Sequence, residues 1–523
     1  MKAITNILQS LKGSLVICTI LALSLSSCDF LSQEPQTSLS PEQLVLSIDN
    51  MQPYINGIYY SWRDTRINRK GFFLMLGLDE TQQGEYQVRT DAQQAALDKY
   101  DGFYSPDNNA IAQLWSVRWR VAVLASEALY NLKLITPTTT KDSTLLNTLT
   151  GQALFYRASV MLEMAQYWGG LPISTIEGGT VVTGGRETLL KTYQMIETDL
   201  LTAIELLPET RPGDGRIPTR WAAHTILARL YMSAWEDTGF RSYSKAKKHL
   251  QAVVDSGVYS LMPNYADLWN PEVSCEQEAI FTFYFNNVWP DTNELQWYTG
   301  SRAVSSDPNC AIGGYDLLIP TAYARSYKTD GGIWEEGDLR RDESIRYDFK
   351  YKGKSPAQVA GFGEDQLLPH IKKYEDWRID GEKSFYETGK NVYYIRYADV
   401  LLLLAECMNE TDSTAQAVAL VNQVRTRAWD ATLSATAEWS VSSKEEFRKN
   451  LMDERIRELL CEGWRRMDLM RQGKQTYITE VKDKNPWAKA NATLDEHHLL
   501  FPIPNTEIKT NTSIDITDQN PGY

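Results

Sequence analysis

The chain has 523 residues and a formal net charge of −14, long enough for several domains or one elongated body and too acidic to grip a nucleic-acid backbone without a concentrated basic stripe, which the sequence lacks. Trp (15) and Tyr (28) together far outnumber Phe (14); these rings join a flat apolar face to a polar edge and suit sugars, although they also fill helical cores. With only 5 His and no GxSxG, HExxH or P-loop pattern, hydrolytic and nucleotide chemistry is left without its usual carriers.

Lys2 and Lys12 accompany an apolar stretch from Ser14 to Ser27, too short to span a bilayer, which Leu25-Ser-Ser-Cys28 closes with small residues before a cysteine. This resembles a bacterial lipoprotein signal, implying a signal peptide over residues 1–27 and lipid on the new N-terminal Cys28. Residues 28–41, rich in Ser, Gln and Pro, are expected to form a flexible tether. A first folded part is expected over 42–259 and a second over 260–523, the latter divided into an irregular middle, 260–392, and helical hairpins with a tail, 393–523.

Helical periodicity runs from Glu42 to Trp62. A polar, irregular run from Asp79 to Asn109 holds Tyr86, Arg89, Tyr100, Phe103 and Tyr104, too aromatic for plain disorder and long enough to be functional. Helices are predicted from Ala110 to Leu134, from Ser143 to Trp168, where Gly169-Gly170 stops the helix, and from Thr188 to Leu207. In the second, Ala153, Tyr156, Ala158, Leu162 and Ala165 alternate small and large residues as close helix packing requires. Arg220 to Ala234, a break at Asp237-Thr-Gly239, and Tyr243 to Asp255 form a tetratricopeptide-like hairpin, which recurs as Tyr394 to Cys407 followed by Thr414 to Ala428. The expected fold is all-α: a scaffold of tetratricopeptide-like hairpins carrying a large, irregular, loop-rich ligand-binding insertion.

In that insertion Glu278 to Tyr284 reads as a strand, and the rest is rich in Gly, Pro, Asn and Asp. A sugar offers C–H groups on one face and hydroxyls around its rim, so a binder needs flat platforms and a few amide, carboxylate or guanidinium partners. Trp289, Trp297 and Tyr298, with Tyr86 and Tyr104 from the early run, are the platform candidates; Asp79, Glu80 and Arg89 are the hydrogen-bonding candidates. Core packing is the competing reading for each ring, and a helix-end or surface role for each charge. Whether Cys275 and Cys310 pair is open. Asp307, Asn309 and the Ala311 carbonyl have alternating spacing but lack the Gly and distal Glu of a calcium loop. His497-His498 is a pair without a third ligand at useful spacing, so no metal or cofactor is expected.

Near the C-terminus, Met452 to Gly473 reads as one charged helix. Glu454, Glu458 and Glu462 recur every four residues among Arg457, Arg465 and Arg466, either as a catalytic surface or as a structural ion-pair lattice. Glu462 is expected to pair with Arg465 or Arg466 and Asp468 with Arg471, with Gly463 allowing close helix approach.

Five stretches in order, Ile395-Arg-Tyr-Ala-Asp-Val-Leu-Leu-Leu-Leu-Ala-Glu406, Ala419-Leu-Val-Asn-Gln-Val-Arg-Thr-Arg-Ala428, the helix with Glu454-Arg455 and Glu462-Gly-Trp-Arg465, Phe501-Pro-Ile-Pro504 and Gln519-Asn-Pro-Gly-Tyr523, resemble the SusD/RagB group of outer-membrane nutrient-binding lipoproteins. The resemblance implies an all-α, tetratricopeptide-like body held on the outer face of the outer membrane by lipid on Cys28, without catalytic residues. It implies an oligosaccharide ligand, or in some relatives a peptide, and a TonB-dependent, SusC-like transporter as partner. It also makes the charged helix a fold signature. Glu127 stands where relatives often carry Asn, and Trp119 where Tyr is commoner, both near the usual ligand face. Two other readings stay open: a peptide-binding repeat adaptor, and a carboxylate-dependent glycoside hydrolase for which the adjacent Asp79-Glu80 offer acids.

Overall fold

In the structure, a computed structural model describing residues 47–211, 213–288, 290–301, 314, 318–348, 368–378, 387–429 and 437–523 apart from the Asn68 side chain, the long helices start and stop where the sequence supplies the means. They are α1 (Ile48–Arg63), α2 (Asn109–Leu134), α3 (Thr140–Trp168), α4 (Leu189–Leu206), α5 (Arg220–Ser233), α6 (Tyr243–Asp255), α7 (Tyr397–Glu410), α8 (Thr414–Ala428), α9 (Lys444–Leu459) and the shorter α10 (Arg465–Arg471). The Thr139 hydroxyl accepts from the Asp142 N–H and the Asp142 carboxylate accepts from the Thr139 N–H, both at 3.1 Å, a reciprocal cap that opens α3. At the other end Gly169 takes a φ of 79°, and a Cβ on Gly170 would stand 2.0 Å from the Glu187 carbonyl oxygen.

Each long helix packs on the next: α2 on α3, α3 on α4, α4 on α5, α5 on α6. α6 then packs on α7, which holds α8 and α9, so the array of hairpins closes across the middle segment. Ala153, Tyr156, Ala158 and Ala165 are all fully buried on the faces that meet. Among the described residues there are four two-stranded antiparallel sheets: β1 (Thr81–Gln82) with β5 (Ile319–Pro320), β2 (Pro172–Glu177) with β3 (Thr180–Arg186), β4 (Ala279–Phe283) with β8 (Val392–Arg396), and β6 (Ile345–Arg346) with β7 (His370–Ile371). The predicted strand near 278–284 is β4. Trp62 of α1 anchors it to the core, its ring 5.5 Å from Phe281, 5.0 Å from Phe283 and 4.8 Å from Tyr394, burial that stabilises by roughly 3 kcal/mol. Among the described residues no helix is long and apolar enough to cross a membrane.

Three expectations need correction. The early run is less irregular than its composition predicts, because Glu85–Thr90 and Ala92–Lys99 are helical, the second capped by Asp91, which accepts from the Gln94 N–H at 3.0 Å. Tyr394 belongs to β8, where its alternation with Ile395 serves a strand, and the helix starts only at Tyr397. The 452–473 stretch is two helices, α9 and α10, parted by a turn in which Cys461 and Gly463 have φ of 63° and 85°. Left-handed positions break the i to i−4 ladder. Gly463 is there for its backbone angle and not for close approach, since the nearest atom to an added Cβ is Met75 Cε at 3.8 Å.

The turn redirects the charges. Glu462 accepts from Lys373 at 2.8 Å and from Arg396 at 2.8 Å, instead of pairing with Arg465 or Arg466. Arg465 grips Asp79 through two bonds of 2.8 and 2.6 Å, while Arg466 donates to the Tyr477 hydroxyl at 3.0 Å and the Leu499 carbonyl at 2.6 Å. Asp468 does pair with Arg471, at 2.9 Å. Glu458 gathers Arg340, Arg396 and Arg427 at 3.1, 2.9 and 2.6 Å; Glu454 gathers Arg340 at 2.8 Å, Arg425 at 2.7 Å, and Arg457. Burial alone would raise both carboxyls, but the three guanidiniums around each outweigh it and hold them well below the usual range. Asp468 is likewise held down to about 2, against its burial, by Arg455 and Arg471. These side chains are buried in one another's company, so the stretch is an internal ion-pair lattice.

Cys275 is a buried free thiol facing the Asp267 carbonyl at 3.2 Å. Cys310, Cys28 with the leader and tether, Trp289 and residues 307–311 lie outside the described residues.

Candidate ligand-binding face

Short pairings bring the early run onto the middle segment. Thr81 faces Pro320 and Gln82 faces Ile319 across β1 and β5, and just before β5 the Leu318 N–H donates to the Tyr298 carbonyl at 3.1 Å. Phe72 meets the Tyr298 ring at 5.0 Å, which seats the short helix Leu295–Thr299 beside the early run with Trp297 partly exposed on it. Asn293 and Thr388 exchange two backbone bonds of 2.8 Å, and the Gln296 side chain accepts from the Asp376 N–H at 3.1 Å. Residues 372–378 are thereby joined through the Gln296 side chain to the helix that carries Trp297.

Trp377 was not singled out by sequence. Asp376 Oδ1 accepts from the Arg378 N–H at 3.1 Å and Nε at 2.9 Å, and Oδ2 accepts from Nη2 at 2.7 Å, while Arg378 Nη1 donates to the Pro271 carbonyl at 3.1 Å. This brace fixes the backbone on both sides of Trp377, whose indole is 50% exposed. Leaving half an indole in water forgoes about 1–2 kcal/mol of burial, which on a rigid turn makes it a preorganised platform. The same brace holds Asp214-Gly215-Arg216 and Asp338-Leu339-Arg340. The Asp-x-Arg spacing around a tryptophan was therefore the signal that sequence reading passed over.

An open hollow of about 540 Å³ is lined by Tyr60, Arg63, Asp214, Arg216, Tyr284 and Asn286, among others. Arg216 donates to the Tyr60 hydroxyl at 2.8 Å and Arg63 pairs with Asp291 at 2.8 Å, so aromatic walls and polar edges are already held in place.

The sequence candidates divide sharply by burial. Tyr86 is 45% exposed, and Arg89 on the same short helix pairs with Glu85 one turn back. Asp79, Glu80, Tyr104 and Tyr298 are buried. Asp79 is held by Arg465; Glu80 accepts from the Cys461 N–H at 3.3 Å. Burial, opposed by Arg465 and reinforced by Asp79, pushes the Glu80 carboxyl up to about 8. The Tyr104 hydroxyl donates to the His498 carbonyl at 3.2 Å and its ring packs against Tyr100, His498 and Phe501; the Tyr298 hydroxyl donates to Glu294 at 2.6 Å. These four side chains are thus buried among protein partners, the Asp79 and Glu80 acids included. Glu127 accepts from the Tyr54 hydroxyl at 3.0 Å and Trp119 stacks on Trp115 at 5.9 Å, so both departures from the relatives' pattern make internal contacts.

Residues 319–523 match the SusD family, and residues 29–232 match the family described as starch-binding associating with outer membrane. The chain is 24% identical over 528 residues to SusD-like protein P2 of Formosa agariphila, covering 96% of this chain and 98% of the relative. A SusD homolog from Bacteroides thetaiotaomicron of known structure is similar with a TM-score of 0.75 at 19% identity, covering 92% of this chain and 98% of the other. Surface glycan-binding protein A from the same organism, solved in complex with laminarihexaose, is similar with a TM-score of 0.72 at 18% identity, covering 90% of this chain and 99% of the other.

Proposed function

The chain belongs to the SusD family, and from that premise we propose that it is a lipoprotein of the outer-membrane surface, anchored by lipid on Cys28, which binds an oligosaccharide and delivers it uncleaved to a TonB-dependent, SusC-like transporter. The observation that carries the reading is Trp377, half exposed on a braced turn whose Asp376 N–H is held by the side chain of Gln296, the residue before Trp297. Such rings take the C–H face of a sugar, while guanidinium, carboxylate and amide groups at the edge take its hydroxyls. A neutral ligand also suits a chain with a net charge of −14. The starch-binding, outer-membrane description of the family matching residues 29–232 and the laminarihexaose held by a structural relative support a glycan as ligand. The face draws on both the 42–259 and 260–523 parts, which act as one binding unit. Hydrolysis has little support, because of the two carboxylates that the sequence offers Asp79 is buried in an ion pair with Arg465 and Glu80 is buried beside it.

Calorimetric titration of the mature chain with starch-derived and laminarin-derived oligosaccharides tests this directly. Binding is expected, no new reducing ends should form, and detergent pull-down should recover a barrel transporter. Binding of peptides alone would replace the glycan reading. Affinity unchanged in both Trp297→Ala and Trp377→Ala would remove the face while leaving glycan binding in place.

A further inference from the structure

The His497-His498 pair, without a third ligand in sequence, gains one in the fold. Asp495 opens the 3-10 helix Glu496–Leu499, and its Oδ1 lies against His497 Nδ1 and 3.3 Å from His498 Nδ1. The three ligand atoms fall within 4.8 Å of one another. The His498 side chain is 6% exposed and that of His497 32%, so the group is anchored on one side and open on the other.

The His498 nitrogen faces two demands that it cannot meet together. The Asp495 backbone N–H points at its lone pair from 3.3 Å in a reciprocal cap, while the Asp495 carboxylate oxygen, which accepts from the His497 N–H at 3.0 Å, also faces it at 3.3 Å and would be matched there only by a proton. A single imidazole nitrogen does one or the other. Without the proton, two lone pairs face each other; with it, two N–H groups do. A cation between the rings and the carboxylate satisfies all three ligand atoms, at the loss of one long N–H contact. A donor separation of 3.3 Å is what two ligands at about 2.0–2.1 Å from one ion make at a roughly tetrahedral angle. The His498 ring is held by Tyr100 and Tyr104, at 5.6 and 5.3 Å between ring centres, and the Tyr104 hydroxyl donates to its carbonyl.

We propose that Asp495, His497 and His498 bind a divalent transition metal of the zinc class, with water completing its coordination. Two imidazoles and one carboxylate favour such an ion over calcium or magnesium. The metal staples the turn on which the chain ends: the Tyr523 hydroxyl donates to the carbonyls of His497 and Leu500 at 3.3 and 3.0 Å, and a Cβ on Gly522 would come 2.7 Å from His497 Cβ.

The test uses the untagged mature chain, stripped by chelator and titrated calorimetrically with Zn²⁺, and with Co²⁺ for its visible absorption. One equivalent should bind with tetrahedral-type cobalt absorption, and Asp495→Asn and His497→Gln, each with an unchanged circular dichroism spectrum, should weaken it at least roughly tenfold. The other histidine pair, His224 and His249, brings its Nδ1 atoms to 2.9 Å and serves as the control. His224→Gln should leave the isotherm unchanged; losing the bound equivalent there instead overturns the assignment. No binding by the parent chain, equal binding by the Asp495 and His497 variants, or equal displacement by Ca²⁺ overturns it as well.

Discussion

The lattice around α9 and α10 and the face around Trp377 are built from the same two side chains, arginine and carboxylate, and differ in where water stands. In the lattice one carboxylate collects two or three cations out of contact with solvent, and the bonds tie segments remote in sequence. At Trp377 one Asp holds one Arg, which keeps 29% of its side chain exposed, and the bonds lock a tripeptide. The buried network ties remote segments together; the brace, with Asp376 buried and Arg378 partly open to water, sets where a ring points. Breaking a buried pair strands a charge, whereas a surface pair is worth little in stability.

The largest effect separating the two should come from Glu458→Ala, which leaves Arg340, Arg396 and Arg427 short of a partner. A loss of about 3–5 kcal/mol by urea denaturation, or failure to fold, is expected, and a change under about 1 kcal/mol would mean that the lattice is not what holds the core. Glu462→Ala should fall somewhat short of that, since Arg396 keeps Glu458 and Glu278 while Lys373 is left with the Glu458 carbonyl, and ligand affinity in the folded fraction should be intact.

Next in size is a pH dependence. Burial pushes the Glu80 carboxyl up to about 8 in the fold, above the ordinary carboxylate range, so as pH rises from that range to about 8 the unfolded chain sheds its proton first. Folding then weakens by at most about 1.4 kcal/mol per pH unit. Glu454, Glu458 and Asp468 act in the opposite sense and withdraw stability only as pH falls below the ordinary carboxylate range. Denaturation across pH should show Glu80→Gln flattening the upper decline and sparing the acid limb; an unaltered decline would mean that Glu80 is already charged in the fold.

On the face the order of effects reverses. Trp377→Ala should lower oligosaccharide affinity by roughly 5- to 10-fold, about 1–1.4 kcal/mol, with the denaturation midpoint nearly unmoved. Asp376→Asn should weaken binding less, by loosening the turn. A large stability loss in either would show that Trp377 belongs to the core. Smallest of all, Arg89→Ala should alter stability by no more than about 0.5 kcal/mol, because its pair with Glu85 is a surface contact one helical turn apart; calorimetry then reads whether Arg89 reaches the ligand.

Helix ends were legible because their punctuation is local: Thr139 with Asp142 and Gly169-Gly170 act on their own neighbours. The break at Gly463 was not, because a glycine is tolerated inside a helical pattern. What redirects this one is the pull of Lys373 and Arg396 on Glu462 and of Asp79 on Arg465, partners far away in sequence. Which of the candidate rings would be buried was not legible in the sequence. Tyr104 and Tyr86 have similar local chemistry, yet His498 and Phe501 bury one ring and leave the other in water. Tyr298 and Trp297 are neighbours in one short helix, and Phe72 covers the first.

The pair between Asp79 and Arg465 spans 386 positions. A chain made from its N-terminus therefore emerges with Asp79 long before its counter-ion has been synthesised, and the first half cannot complete its interior alone. Contacts of such separation slow folding. The early run should thus stay open to chaperones and proteases until Arg465 has arrived, so that acquiring protease resistance reports that synthesis has passed that residue.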